Sequence, residues 1–234
     1  MTHPTEFDFW YAVNNTRIVL SPSRRLETFG NTVLNYHMIS ELMDTVNKVR
    51  VREGRIQAFR PQVITPVSFA SSLLEGFGEE AERYADWLRE HMADLRILQY
   101  GFTIRKQEIS EQIVTDRIEA VVEQVQKTVT DKDDPLAAVV VGVEKPWQVC
   151  LLKLMVEVSG RSLPGNLREL ERHRLLDEVE GLPRAVREEI DMEFRAAGRD
   201  SARLGRLQKV LHRHGVFEKY EDRFFDLVKA SRRL

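Results

Sequence analysis

Residues 136–159 read LAAVVVGVEKPWQVCLLKLMVEVS, and 16 of these 24 residues are apolar. The first part, Leu136 to Val143, is a run of β-branched and small residues with no helical stripe. A short apolar run without alternation suits a strand covered on both faces. Glu144-Lys145-Pro146 breaks the run, and proline is well placed where a helix begins. Beyond it, Trp147, Cys150, Leu151, Leu154 and Val158 recur at steps of 3 and 4, with Val149, Leu152 and Val156 on the adjacent face. This pattern predicts a mostly buried helix that stops at Gly160. A membrane span would need about 20 unbroken apolar residues, and Glu144, Lys145 and Pro146 interrupt this stretch, so no membrane association is expected.

The rest of the chain must bury this stretch. It has 234 residues, is 42% hydrophobic and 31% charged, and carries a formal net charge of -2. That is the composition of a globular chain long enough for a sizeable core. Up to Lys145 there are 17 basic and 22 acidic residues, a net of -5; from Pro146 there are 18 and 15, a net of +3. The single cysteine, Cys150, excludes an intramolecular disulfide framework and suits a reducing compartment. The N-terminus shows no basic-then-apolar leader pattern. A cytoplasmic location is expected.

Outward from the centre, alternation predicts strands. Phe9–Val13 and Thr16–Leu20 flank Asn14-Asn15, a plausible hairpin turn. Thr32–Ser40 places Leu34, Tyr36 and Met38 on one face. Val46–Arg60 reads as a hairpin turning at Glu53-Gly54, with Val49, Val51, Ile56 and Ala58 on one side. Lys48, Arg50, Arg52, Arg55 and Gln57 take the other. Ser68 to Gly76 and Glu79–Leu95 read as helices, and Ile97–Arg105 as a strand. A further helix opens at Thr115 or Asp116. After Gly160 only helices are expected: from Asn166 to about Val179, from Pro183 to Ala197, from Ser201 to about His214, and from Glu218 onward. The fold class is therefore α+β. An antiparallel-type sheet with helices (1–145) precedes an all-helical bundle (146–234) packed on it.

Motifs for catalysis and cofactors are missing. His212 and His214 are two apart and point away from each other on a helix, and no paired cysteines or His-Glu-x-x-His occur. Cys150 has apolar neighbours, which suits packing rather than attack. Gly76-Phe77-Gly78 lacks the lysine of a phosphate loop. Pro164-Gly165-Asn166-Leu167-Arg168-Glu169-Leu170 resembles the Pro-Gly-Asn-x-Arg-Glu-Leu segment of AAA+ bacterial transcription activators, in which the arginine senses nucleotide. It covers seven residues and no phosphate-binding motif accompanies it, so it is read as a helix start and no family is assigned. No metal, flavin or nucleotide cofactor is expected.

Two basic surfaces carry the functional expectation. Lys48, Arg50, Arg52 and Arg55 would share one hairpin face, with Arg24 and Arg25 in a nearby loop. Like charges opposite one another on a ribbon are a cost that a polyanion relieves. Arg203, Arg206, Lys209 and Arg213 form a second surface, and no acid occurs from Ser201 to Phe217. The expectation is a non-catalytic nucleic-acid-binding or regulatory protein contacting phosphates of RNA or DNA. The alternatives are a protein-interaction or self-associating module, and an enzyme acting on a small anionic substrate through Arg17, Arg24, Arg25 and His37.

Overall fold

The computed structural model describes residues 6–43, 47–64 and 97–231. The two helices expected between Ser68 and Leu95 lie outside the described residues. The chain divides into two units, Met1–Pro61 with Tyr100–Arg168, and Gln62–Gln99 with Glu169–Leu234. The expected boundary at Lys145/Pro146 falls inside the first unit. The fold is α+β, with a mixed sheet in the N-terminal part and helices dominating the C-terminal part.

In the first unit the strands are β1 (Arg17–Leu20), β2 (Thr32–Glu41), β3 (Lys48–Ala58), β6 (Phe102–Ile104), β7 (Ser110–Thr115) and β8 (Ala137–Gly142). Their order is β1-β8-β2-β3-β6, and β7 also pairs with β3. All pairings are antiparallel except β2 with β8, which is parallel. β8 thus lies between β1 and β2 as its unalternating apolar run predicts. Ala138 and Val140 enter one core cluster, and Ala137 and Val139 enter another on the opposite face.

The helix α1 (Glu6–Asn14) replaces the expected first strand and its Asn14-Asn15 turn. Local bonds close its end: Asn15 Nδ2 donates to the Tyr11 carbonyl at 2.8 Å, and Thr16 Oγ1 to that of Ala12 at 2.6 Å. These bonds satisfy carbonyls that a helix end leaves open. Ala12 packs with the long helix α3 (Trp147–Arg172) on one face of the sheet. The helix α2 (Ile118–Asp131) lays Val121, Val122 and Val129 on the other face, against Ile39, Val49, Val51 and Val139.

The expected hairpin at Glu53-Gly54 does not exist. β3 runs unbroken through both residues, and its antiparallel partner is β2, in a register that sets His37 opposite Glu53 and Tyr36 opposite Gly54. In a continuous strand successive side chains take opposite faces. Val49 and Val51 therefore go under α2, whereas Ile56 and Ala58 join the cluster below α1 and α3. The buried side of the strand changes over at Gly54, which mimics the mirror pattern of a hairpin. Glycine is required there, because a Cβ would stand 2.6 Å from Tyr36 Oη.

α3 is also longer than expected, since neither Gly160 nor Pro164 stops it. Asn166 is fully buried in its interior instead of capping a new helix. Oriented so that each donor meets an acceptor, its amide donates to the carbonyls of Ser162 and Leu26 and accepts from the Tyr100 hydroxyl, all at 3.1 Å. The expected strand Ile97–Arg105 is two strands in different sheets, β5 (Ile97–Gln99) pairing with β4 (Gln62–Ile64), and β6 pairing with β3.

The second unit holds β4, β5 and the helices α4 (Arg184–Ala197), α5 (Leu204–Arg213) and α6 (Phe217–Ser231). Val186, Ile190, Phe194, Leu207, Val210, Leu211 and Phe224 are buried in it. The expectation of helices only after Gly160 needs one correction. Glu178–Val179 and Leu182–Pro183 form a two-residue ribbon, β9 with β10, around Glu180 and Gly181, which both have positive φ.

Candidate functional site

Continuous β3 separates the four cations of the expected basic face. Arg50 and Arg52 share a side with Ser40 and reach Glu144 in the connection from β8 to α3. Arg52 Nη2 donates to Glu144 Oε1 at 2.8 Å and Nη1 to Oε2 at 3.1 Å. Arg50 Nη1 donates to Oε1 at 2.5 Å, and Ser40 Oγ to Oε2 at 2.7 Å. The Arg52 side chain is only 3% exposed, lies 5.2 Å from the Trp147 ring centroid, and also donates from Nε to Glu111 at 2.9 Å. Burial alone would raise the Glu144 pKa. The hydrogen bonds from Arg52 and Ser40 and the charges of both arginines outweigh it and hold the carboxyl below its usual range. This cluster is internally paired and ties β2, β3 and β7 to the start of α3.

Arg55 points to the other face, where it meets Glu108 at 3.3 Å, and Lys48 is exposed. Arg24 pairs with Glu27 at 2.6 Å. Arg25 lies against Gly165 of α3, and Arg17 is exposed on β1. In the second unit, Arg206 pairs with Glu193 at 3.0 Å. Arg213 bonds Glu189 at 2.7 Å and Gln62 at 3.0 Å, so it works inside that unit. Lys209 is exposed and Arg203 half-buried. The four groups Arg17, Arg24, Arg25 and His37 do not converge on one pocket.

His37 does line a pocket, without Arg17, Arg24 or Arg25. The cleft has a volume of about 570 Å³ and opens on the sheet face that carries α2. Its floor is Asn35 and His37 of β2 with Glu53 and Arg55 of β3. Its walls are Lys132 and Asp134 beyond the end of α2, Glu108 in the 3-10 turn before β7, and Ser110 at the start of β7. The local cause is legible along β2. Ile39 lies under α2, but α2 ends at Asp131, and the same face continues as His37 and Asn35. Polar residues stand where the covering helix has run out.

Most polar groups of the cleft are held by neighbours. Asn35 Nδ2 donates to Asp134 Oδ2 at 2.6 Å, and Asp134 Oδ1 accepts from the Leu136 N–H at 2.9 Å. Glu108 accepts from Arg105 at 3.0 Å as well as meeting Arg55. His37 Nδ1 lies 3.0 Å from Glu53 Oε1, with the His37 side chain 13% exposed. A carboxylate only accepts, so Nδ1 carries the proton and Nε2 of the neutral ring keeps its lone pair. Among the described residues no acid pairs with Lys132. The cleft thus offers an oriented imidazole, the exposed Lys132 ammonium and the Ser110 hydroxyl. Behind its floor, the Tyr36 hydroxyl is buried without a partner, and burial pushes its pKa up to about 12.

Among the described residues no group of three or more His, Cys, Asp or Glu side chains is placed to hold a metal ion, and no helix is long and apolar enough to cross a membrane. No protein-family model, curated protein or solved structure matches this chain.

Proposed function

We propose that the first unit binds a small carbonyl- or carboxylate-bearing compound in the His37–Glu53 cleft and exchanges a proton with it at His37 Nε2. The observation that carries this reading is the 3.0 Å pair of His37 Nδ1 with Glu53 inside a 570 Å³ concavity. That volume lies in the range of small-molecule sites, about 300–1,000 Å³. A carboxylate on Nδ1 fixes the ring's orientation and tautomer, which leaves Nε2 to act as base and then as acid. Lys132 supplies the positive charge for the ligand's oxygen, and Ser110 a further hydrogen bond. Phosphate contact with nucleic acid through Lys48, Arg50, Arg52 and Arg55 is the weaker reading, because Arg50 and Arg52 are already spent on Glu144.

A ligand-observed NMR screen of small carboxylic acids, amides and ketones tests the proposal. Bound compounds are expected to lose about tenfold or more in affinity against His37→Gln, the effect of about one lost hydrogen bond to a charged or strongly polarised group. Circular dichroism of the variant should match wild type. Hits that bind His37→Gln as well as wild type would overturn the reading.

A further inference from the structure

The sheet of the first unit ends on one side at β1 and on the other at β6 and β7, which pair with the two halves of β3. A sheet edge presents backbone N–H and C=O groups that a further strand can pair. We propose that β7 is where two copies of this chain join, strand against strand, antiparallel about a two-fold axis at Ile113. The ladder stops short of Ser110 and does not depend on the role of the His37 cleft.

Natural edges are blunted by shortness, bulges, proline or charge. β1 has four residues, begins with exposed Arg17, and shifts register between Ile18 and Leu20. β6 has only three residues. β7 runs for six, Ser110–Thr115, in unbroken register with β3, and contains no proline, lysine or glycine. Its one charge is engaged on its own sheet: Glu111 accepts from Arg52 at 2.9 Å and lies 3.8 Å from Arg50. Among the described residues no strand lies on the outer side of β7, and no backbone hydrogen bond from outside the sheet reaches it. Ile113 is 54% exposed. β7 is thus the unguarded edge, with an apolar side chain near its middle.

Symmetry and sequence select the occupant. When identical strands pair antiparallel, the two-fold axis stands perpendicular to the sheet and sets one residue opposite its own copy. With the axis at Ile113, Gln112 faces Val114 of the second copy and Glu111 faces its Thr115. Each Ile113 then covers the other as an apolar cross-strand pair, and no acid meets an acid. An axis at Gln112 would set each Ile113 against a Glu111 carboxylate. An axis at Glu111 would set the two carboxylates opposite each other, where like charges destabilise. The ladder is short against the about 1,200–2,000 Å² that a stable complex buries, so the association should be reversible and concentration-dependent.

Sedimentation equilibrium of the full chain over a range of concentrations tests this, together with cysteine bridging. Wild type should pass from monomer to dimer as concentration rises. Ile113→Lys should weaken the dimer about tenfold or more, because both copies lose an apolar side chain at the axis and gain facing charges. Circular dichroism of that variant should match wild type, since the position is exposed. Ile113→Cys, oxidised with diamide, should give a covalent dimer on non-reducing electrophoresis, because directly opposed Cβ atoms lie about 4.5–5.5 Å apart. Gln112→Cys should not bridge in this register, and neither should wild type, whose Cys150 is fully buried. The proposal is overturned if wild type stays monomeric at every concentration, or if Ile113→Lys dimerises as wild type does. Bridging through Gln112→Cys in preference to Ile113→Cys would overturn it as well.

Discussion

Replacing Glu144 by alanine should destabilise the first unit more than any surface change. The carboxylate accepts four hydrogen bonds: one from Ser40, one from Arg50 and two from Arg52. Without it, a guanidinium only 3% exposed keeps one carboxylate, Glu111, the Ser40 hydroxyl at 3.2 Å and the face of Trp147. Breaking a buried ion pair from one side costs about 3–5 kcal/mol. The residual contacts of Arg52 place the expectation at the lower end, about 3 kcal/mol. In urea, with a slope of about 1–3 kcal/mol/M, the midpoint should fall by about 1–3 M at unchanged slope. The companion variant Arg52→Met with Glu144→Leu removes both charges and should lose less than Glu144→Ala alone, since apolar replacement of a whole buried pair is often near neutral. A Glu144→Ala loss under about 1 kcal/mol, typical of an exposed pair, would refute the view of this cluster as the clamp between the sheet and α3.

Three further outcomes follow from the same contacts. Gly142→Ala should cost about 1–3 kcal/mol by overpacking, because its Cβ would stand 2.5 Å from Cys150 Sγ and 2.9 Å from Met38 Cε; thermal melting checks it, and an unchanged midpoint would contradict the packing. Acid should unfold both units through depressed carboxylates. Glu144 is lowered as described, and for Glu189 burial raises the pKa but is outweighed by bonds and charges from His214 and Arg213. A folded pKa below the unfolded value of about 4.3 gives stability that is complete above that value and lost as pH falls through the folded pKa. Melting curves of wild type and Glu144→Gln should therefore converge in acid and separate at neutral pH. Charge reversal at Arg52 should unfold the first unit, whereas reversal at exposed Lys48 should change stability by no more than about 0.5 kcal/mol.

Burial on both faces was readable in the sequence, but pairing at a distance was not. β8 shows itself because a strand covered on both sides has no polar positions to alternate. β3 is covered first on one side and then on the other, and Gly54 at the change resembles a turn residue. Its true partner is fixed by register with Tyr36 and His37, which no local pattern records. β7 escaped notice because Ser110–Thr115 is an almost wholly exposed edge strand with no apolar alternation. Pro164 and Gly160 are helix breakers by local preference, yet burial of Leu154, Val158, Ser162 and Asn166 on one stripe carries α3 through them.

The candidate site was legible only in part. His37 stood out as a histidine among strand residues, but Glu53 lies 16 positions away and Asp134 stands 99 from Asn35. A usable signal existed: on one face of β2, Ile39 gives way to His37 and Asn35, a change from apolar to polar within a buried strand. Which of the basic residues are paired was hidden for a related reason. Charge along a strand gives no sign of which cations will be met by a carboxylate 92 positions later, as Arg52 is by Glu144.

The most direct test of the cleft is nitrogen-15 NMR of the His37 ring, recorded with and without a compound from the small-molecule screen. The neutral ring should carry its proton on Nδ1, and a bound compound should shift the Nε2 signal while the Nδ1–Glu53 bond persists. Glu53→Gln should weaken that tautomer preference and the binding together. A neutral ring protonated on Nε2, or a compound that binds without moving either ring nitrogen, would show that His37 does not act in this cleft as proposed.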